Sequence, residues 1–361
     1  MGEAMTDVVL VQEIPLAGDG KLGRLTLNAE ASLNSLSAAM IPALQAQLEA
    51  WRYDAQVKAV FLDGAGPKAF CAGGDIRQLY RAMTTPGLMK DAESFFDAEY
   101  RLDHTIHAYP KPIVVWGGGI VMGGGIGLFI GASHRVVTET TKLAMPEITI
   151  GLYPDVGTSY VLTKLPGRVG LFLGLTGVRL NAADALALGL ADVGLPSAAK
   201  DDALAALASL RYTESGELNE LLVGEALARL SATKAFAPGE SELVKRLSEI
   251  DAFTAGSSVN EMVARARAYA GDDKWLKVAF DSLLKGSPTS AHVILEQWRR
   301  ARGLPLDACF QMDRLLSRRC AAANDFKEGI RALLIDKDLQ PKWSPARFED
   351  VTAEQVESYF R

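Results

Sequence analysis

The sequence predicts an α/β protein, with a largely parallel sheet through the first 200 residues and a helical region over 201–361. Three observations carry that prediction. Strand-like and helix-like windows alternate between residues 57 and 138, the pattern of right-handed βαβ crossovers and of a sheet with ligands at its strand ends. Two of the strand-to-helix turns are glycine clusters, in GAGPKAFCAGGDIRQLY at 64–80 and GGGIVMGGGIG at 117–127. From Leu180 onward the strand signals fade and Ala/Leu-rich helical windows dominate.

Taken in order, residues 8–14 and 23–27 read as a strand pair around the loop AGDGK, whose glycines and aspartate suit a turn. A helix follows from about Ser37, because Met40, Ile41, Leu44, Leu48 and Trp51 fall on one stripe. Pro42 is compatible with that helix only in its first turn, where no ladder donor is lost. A strand over 57–62 leads into a helix over 75–83. Residues 84–109 then read as a polar helix with one packed side bearing Phe95, Phe96, Tyr100 and Leu102. A buried strand at 113–116 precedes the second glycine cluster and an apolar helix over 125–132, with a further short strand at 136–138. Helices are expected at 201–210 and 218–230. Ser287-Pro288 is a helix start, with Ala291, Ile294, Leu295 and Trp298 on one face.

Composition narrows the function classes. At 361 residues and 48% hydrophobic, the chain is long enough for one large domain or a domain with an appendage. A net charge of −6 without a long Lys/Arg run argues against nucleic acid as a partner. No 18 apolar residues run together, so no membrane span is expected. Residues 1–14 carry acids and no Arg/Ser-rich amphipathic stretch, so neither export nor a mitochondrial presequence is expected. Cys71, Cys309 and Cys320 form no framework and no CxxC pair, which fits a reducing, cytoplasmic setting. Cys71 has no histidine near it in sequence and reads as a small buried thiol beside a tight turn.

The chemistry-bearing stretch is 111–157. Glycine turns can bring bare N–H groups up to a ligand, and two such turns from separate strands are what an oxyanion hole requires. A plain packing role for 123–125 stands beside that reading, whereas a dinucleotide site does not, because no GxGxxG register starts within 117–127. Glu147, in MPEITIG, is flanked by apolar residues that would desolvate it and raise its basicity. A strand-edge or capping glutamate is the alternative. Asp155 is either a second working carboxylate or the N-cap of a helix starting at Val156. His104, His107, His134 and His292 have no metal-ligand spacing.

FCAGGDI at 70–76, MGGGIG at 122–127 and MPEITIGLYPDVG at 145–157 resemble the crotonase (enoyl-CoA hydratase/isomerase) superfamily. SPTS at 287–290 and DFKEGIRALLIDKDLQPKWSP at 325–345 extend the likeness, over nearly the whole chain, to its 3-hydroxyisobutyryl-CoA hydrolase branch. The resemblance implies a crotonase-like spiral of repeated β-β-α turns, with an acyl-CoA-binding core over 1–200 and a helical region over 201–361 packing on it. It implies an oxyanion hole from the backbone N–H groups of Gly74 and Gly124, with Glu147 as nucleophile or general base and Asp155 as the second carboxylate. Glu99 would line the acyl pocket, or be an ordinary surface acid. Asp75 and Gly123 join Glu99 as substrate-binding residues. The implied reaction is hydrolysis of a short 3-hydroxyacyl-CoA in valine breakdown, with no metal or cofactor beyond the CoA of the substrate, in a homo-oligomer. Hydratases of the superfamily carry a second glutamate where this chain has Gly127. Thr158 and Ser159 depart from the family's more glycine-rich pattern and leave acyl preference open.

Overall fold

A computed structural model describes residues 7–361. The expectation of no leader rests partly on residues 1–6, which lie outside the described residues. The chain opens with β1 (Val9–Pro15) and β2 (Lys21–Leu27), paired antiparallel with Val9 opposite Leu27. Next comes α1 (Met40–Tyr53), whose five predicted stripe residues are all buried. Pro42 is its third residue, inside the first turn, so it removes no ladder bond. Then follow β3 (Val57–Gly64), β4 (Ala69–Cys71), α2 (Ile76–Thr84), α3 (Met89–His107), β5 (Ile113–Gly117), β6 (Ile120–Met122) and α4 (Gly124–Ile130). After these come β7 (His134–Val137), β8 (Lys142–Ala144), α5 (Thr158–Leu162), α6 (Val169–Thr176), α7 (Ala182–Ala187) and the two-residue β9 (Val193–Gly194). The rest is helical: α8 (Lys200–Ala208), α9 (Gly216–Thr233), α10 (Leu247–Thr254), α11 (Val259–Ala268), α12 (Lys274–Lys285), α13 (Pro288–Ala301), α14 (Leu306–Ala322), α15 (Asn324–Ile330) and α16 (Ala353–Ser358).

Six strands form one sheet in the order β1-β2-β3-β5-β7-β9, parallel from β2 onward, and β4-β6-β8 form a second, smaller sheet. Each turn of the chain therefore places one strand in the large sheet, one in the small sheet, and then a helix: β3-β4-α2, then β5-β6-α4. This is the crotonase spiral, with a helical C-terminal portion. The small sheet had no expectation behind it, because three-residue strands are too short to show a period of two.

By its contacts the chain falls into two units: Met1–Gly74, Arg101–Leu143 and Leu180–Ser241 form the first, and Asp75–Tyr100, Ala144–Arg179 and Glu242–Arg361 the second. In the first, Leu22, Phe61, Val114, Trp116 and Val136 of the large sheet share a core with Leu204 and Leu207 of α8 and Val223 and Leu227 of α9. The expected boundary at 200 thus falls between the sheet and helices that cover it. β3 is buried along its whole length, as expected of a central parallel strand. Of its two charges, Lys58 pairs with Glu214 at 2.6 Å, and Asp63 accepts from Thr26 (2.6 Å), Arg24 (2.8 Å) and Lys200 (3.0 Å).

In the second unit α6 is buried throughout. Phe172 packs edge-on to Phe253 at 5.8 Å, and Phe253 lies 4.9 Å from Phe280. A Cβ on Gly174 would come within 3.1 Å of Ile294 on α13. That helix starts where the sequence places it: the Ser287 hydroxyl accepts from Ser290 N–H, donates to the buried Asp325 at 2.6 Å, and Pro288 occupies the first turn.

Candidate active site

Two chemical groupings carry the predicted residues, one in each unit. In the first unit β4 and β6 run parallel, with Ala69 opposite Ile120 and Cys71 opposite Val121. Each strand ends in a glycine turn, so adjacent strands deliver adjacent turns. Gly73 has φ 105°, and a Cβ there would stand 3.2 Å from Met122 O and 3.6 Å from Gly124 N. Its carbonyl accepts from Leu36 N–H at 2.8 Å, which holds the turn. Gly123 has φ 49° and precedes α4. As the first residue of α4, Gly124 has an N–H with no acceptor inside its own helix. Gly125 answers the packing reading: a Cβ there would lie 2.3 Å from Cys71 O, so α4 needs a bare residue to lie on β4. The cluster thus divides its labour, with backbone conformation at Gly123, a free donor at Gly124 and close approach at Gly125. Cys71 is buried against this contact. Gly127 lies inside α4 and is buried.

In the second unit, Glu99 from α3, Glu147 from a short 3₁₀ turn (Glu147–Ile150) and Asp155 from the following loop are all buried, at 3–4% exposure. Glu99 is therefore no surface acid. One carboxylate oxygen of Glu99 (Oε1) and one of Glu147 (Oε2) are buried with no hydrogen-bond partner. Asp155 does not cap a helix. The helix behind it is α5, preceded by Gly157 and without a side-chain cap, while Asp155 Oδ2 accepts from the Tyr100 hydroxyl at 2.7 Å. The expected helix start at Val156 fails because Val156 adopts φ 54°, a left-handed conformation that a β-branched residue resists.

That strained turn is braced from outside. Asp313, on α14 and fully buried, accepts from Gly157 N–H at 2.9 Å and from Gln297 Nε2 at 3.3 Å. Gln297, on α13, also donates to Pro154 O at 2.8 Å. The Tyr153 hydroxyl donates to Asp313 O at 2.6 Å, and Thr158 returns both its N–H (2.9 Å) and its hydroxyl (2.7 Å) to Asp155 O.

Burial dominates the electrostatics. It pushes Glu147 well above the usual carboxylate range, helped by Asp155 and then Glu99. It does the same to Glu99, helped by Asp155, and raises Asp155 from 3.8 to about 6 against the opposing Tyr100 bond. Asp313 is raised by burial and by Asp155, with the Gly157 N–H and Gln297 pulling the other way. Burial and mutual repulsion make these acids hold their protons more tightly than ordinary carboxyl groups do, which suits general acid–base work.

The predicted residues therefore appear as two sets. Gly123 and Gly124 lie beside the Gly73-Gly74 turn, and Glu99, Glu147 and Asp155 form one nest. Asp75 caps α2, its Oδ1 accepting from Gln78 N–H at 3.2 Å. Tyr100 is read from the sequence only as part of the packed side of α3, and Tyr153, Gln297 and Asp313 are not singled out there. Tyr100 follows Glu99, and that adjacency was the one available signal. Asp313 and Gln297 look like any polar residues of amphipathic helices until burial is known. Among the described residues, no three of His, Cys, Asp and Glu are grouped to hold a metal ion. His134 and His292 are spent on backbone carbonyls of Glu220 and Phe348.

Residues 22–360 match the family model for enoyl-CoA hydratase/isomerase. The chain belongs to the crotonase family. Within it, a Danio rerio protein named 3-hydroxyisobutyryl-CoA hydrolase, mitochondrial, is 40% identical over 94% of this chain and 87% of its own length. The Homo sapiens protein of that name is 36% identical over 97% of this chain and 89% of its own. Among solved crotonase-family structures, a carnitinyl-CoA dehydratase from Mycobacterium thermoresistibile superposes with a TM-score of 0.86 at 37% identity, covering 99% of this chain and 97% of that one. An enoyl-CoA hydratase from Rhodobacter sphaeroides 2.4.1 superposes at 0.84 with 36% identity, covering 98% and 97%.

Proposed function

We propose that this crotonase-family protein hydrolyses the thioester of a short 3-hydroxyacyl-CoA, with 3-hydroxyisobutyryl-CoA as the first substrate to try. The observation that carries the reading is the buried carboxylate nest, in which Glu147 keeps one oxygen free of any partner and is held far more basic than an ordinary glutamate. The relatives named 3-hydroxyisobutyryl-CoA hydrolase support the choice of acyl group.

In this reading the Gly74 and Gly124 N–H groups receive the thioester oxygen as it gains charge, while Asp75 and Gly123 contact the substrate and Glu99 lines the acyl pocket. Glu147 has two routes. As nucleophile, its oxygen bonds to the carbonyl carbon, the C–S bond breaks, and the CoA thiolate leaves with a proton; water then cleaves the resulting anhydride and restores the carboxylate. As general base, it takes a proton from water, whose oxygen attacks the same carbon. With a pKa of about 6, Asp155 holds or releases a proton near neutral pH, so it suits either protonation of the thiolate or a bond to the substrate's 3-hydroxyl. Repeated turnover in ¹⁸O-water separates the routes, since only direct attack, with water opening the anhydride at the Glu147 carbonyl, leaves label in Glu147.

A second reading, hydration or isomerisation of an enoyl-CoA, is favoured by the names of the two solved structures. Against it stands Gly127, a residue with no side chain where the hydratases carry their second glutamate. Crotonyl-CoA decides: a hydrated thioester formed without free CoA overturns the hydrolase reading. A non-catalytic acyl-CoA binder is the third possibility, and it gains if Glu147→Gln leaves CoA release unchanged. The proposal carries with it a role in valine degradation, no cofactor beyond the CoA of the substrate, a homo-oligomeric assembly and a cytoplasmic setting. Three free cysteines support a reducing compartment. Cell fractionation tests the setting against the mitochondrial one in the relatives' names, and light scattering tests the assembly.

A further inference from the structure

Within the second unit, the C-terminal end of α13 and the residue before α6 border an open cavity of about 510 Å³. Its walls include Arg168, Trp298, Arg299, Arg302 and the backbone of 255–257. A neighbouring cavity of about 500 Å³ shares Arg302 and adds Lys164. The guanidinium groups of Arg168 and Arg302 each lie 5.2 Å from the Trp298 ring centre.

The local charge is unbalanced. Arg299 has Glu296 at 3.6 Å, but Glu296 also holds Arg300 at 2.8 Å. Arg265 has only Glu261, at 4.0 Å. Asp251 faces Gly167 at the rim, where a Cβ would lie 3.2 Å from its Oδ1. Arg302 has no carboxylate partner among the described residues. Burial pushes the Arg168 guanidinium down from its ordinary value, followed by repulsion from Arg299, Arg302 and Arg265.

Two donors in the cavity walls are left over as well. Arg168 satisfies one nitrogen on Thr254 O and Gly256 O, yet its Nε is buried without an acceptor, and so is Trp298 Nε1. Neither nitrogen is exposed to the cavity, so what a ligand would meet there is the charge of the guanidinium groups. Crowded guanidinium forks match the oxygens of a phosphate group, which accepts several charge-assisted bonds at once. A cavity of this size also has room for more than the bare ion.

We propose that the Arg168–Trp298–Arg299–Arg302 cavity is a binding site for a phosphate-bearing small molecule. The site is separate from the residues assigned to thioester hydrolysis and does not rest on that assignment.

Calorimetric titration at low salt with inorganic phosphate, pyrophosphate and ADP tests it, on the wild type and on Arg302→Gln and Arg299→Gln. Arg302 is exposed and makes no ion pair, so its replacement leaves folding intact. The expected result is saturable binding of at least one probe, weakened about tenfold or more by each substitution. ADP binding more tightly than pyrophosphate identifies the source as a nucleotide, and the reverse identifies it as an inorganic anion. The proposal is overturned if no probe binds or if both variants bind as the wild type does.

Discussion

The glycine turns of the first unit work through main chain alone. Gly73, Gly123, Gly124 and Gly125 offer no side chain to titrate, and what they supply is conformation, a donor and close approach. The carboxylate nest of the second unit works through side chains whose charge is set by burial and by one another. Added atoms therefore damage the first region, which should be nearly indifferent to pH. The second tolerates isosteric change in shape but not in charge, and its behaviour follows pH. Interference with either region tests this contrast.

The largest effect is expected at Glu147. Glu147→Gln keeps the shape and removes the group that attacks or takes up a proton, so CoA release from 3-hydroxyisobutyryl-CoA should fall by about 10³-fold with little change in melting temperature; a thiol-release assay reads the first and thermal unfolding the second. The opposite signature is expected at Gly125→Ala. Its Cβ would meet Cys71 O at 2.3 Å, forcing α4 off β4, lowering stability by about 1–3 kcal/mol and kcat by about 10²-fold, with an unchanged pH profile. If Gly125→Ala instead moves the pH profile, the contrast between the regions breaks.

Asp313→Ala probes the brace. It strips the acceptor from the buried Gly157 N–H and Gln297, so a stability loss of about 1–3 kcal/mol is expected. Asp155 would also be released from the turn that aims it, lowering kcat more than it raises KM. Tyr100→Phe sharpens the electrostatic side. The Tyr100 hydroxyl lowers the Asp155 pKa, so its loss should move the acidic limb of the kcat/KM profile to higher pH at an almost unchanged melting temperature.

The smallest effect is on stability against pH. Asp155 is raised from 3.8 to about 6 in the folded state, so between those values the native protein holds a proton that the unfolded chain has lost. Stability should therefore fall as pH rises from about 4 through about 6, and Asp155→Asn should flatten that fall. Equilibrium denaturation at several pH values reads it.

Much of the architecture was legible. The stripe of α1, the buried run of β3 and the Ser287-Pro288 start of α13 are local patterns, in which side-chain spacing and capping chemistry decide the outcome within a few residues. The three-residue strands β4, β6 and β8 were not legible, because such short segments exist only through pairing with one another. Nor was the boundary at 200, since α8 and α9 belong with the large sheet by virtue of the surface they cover.

The site divides along the same line. Sequence alone determined which residue types were available for chemistry: bare glycines after two strands, a glutamate among apolar neighbours and an aspartate eight residues on. Tertiary structure decided which reading of each was right. Whether Asp155 caps a helix or faces Tyr100 depends on Val156 adopting a left-handed conformation, and that depends on Asp313 and Gln297, more than a hundred residues away. A pKa, likewise, is a property of surroundings. The letter at position 147 names a carboxyl group, but only the burial imposed by distant segments makes it more basic than an ordinary glutamate.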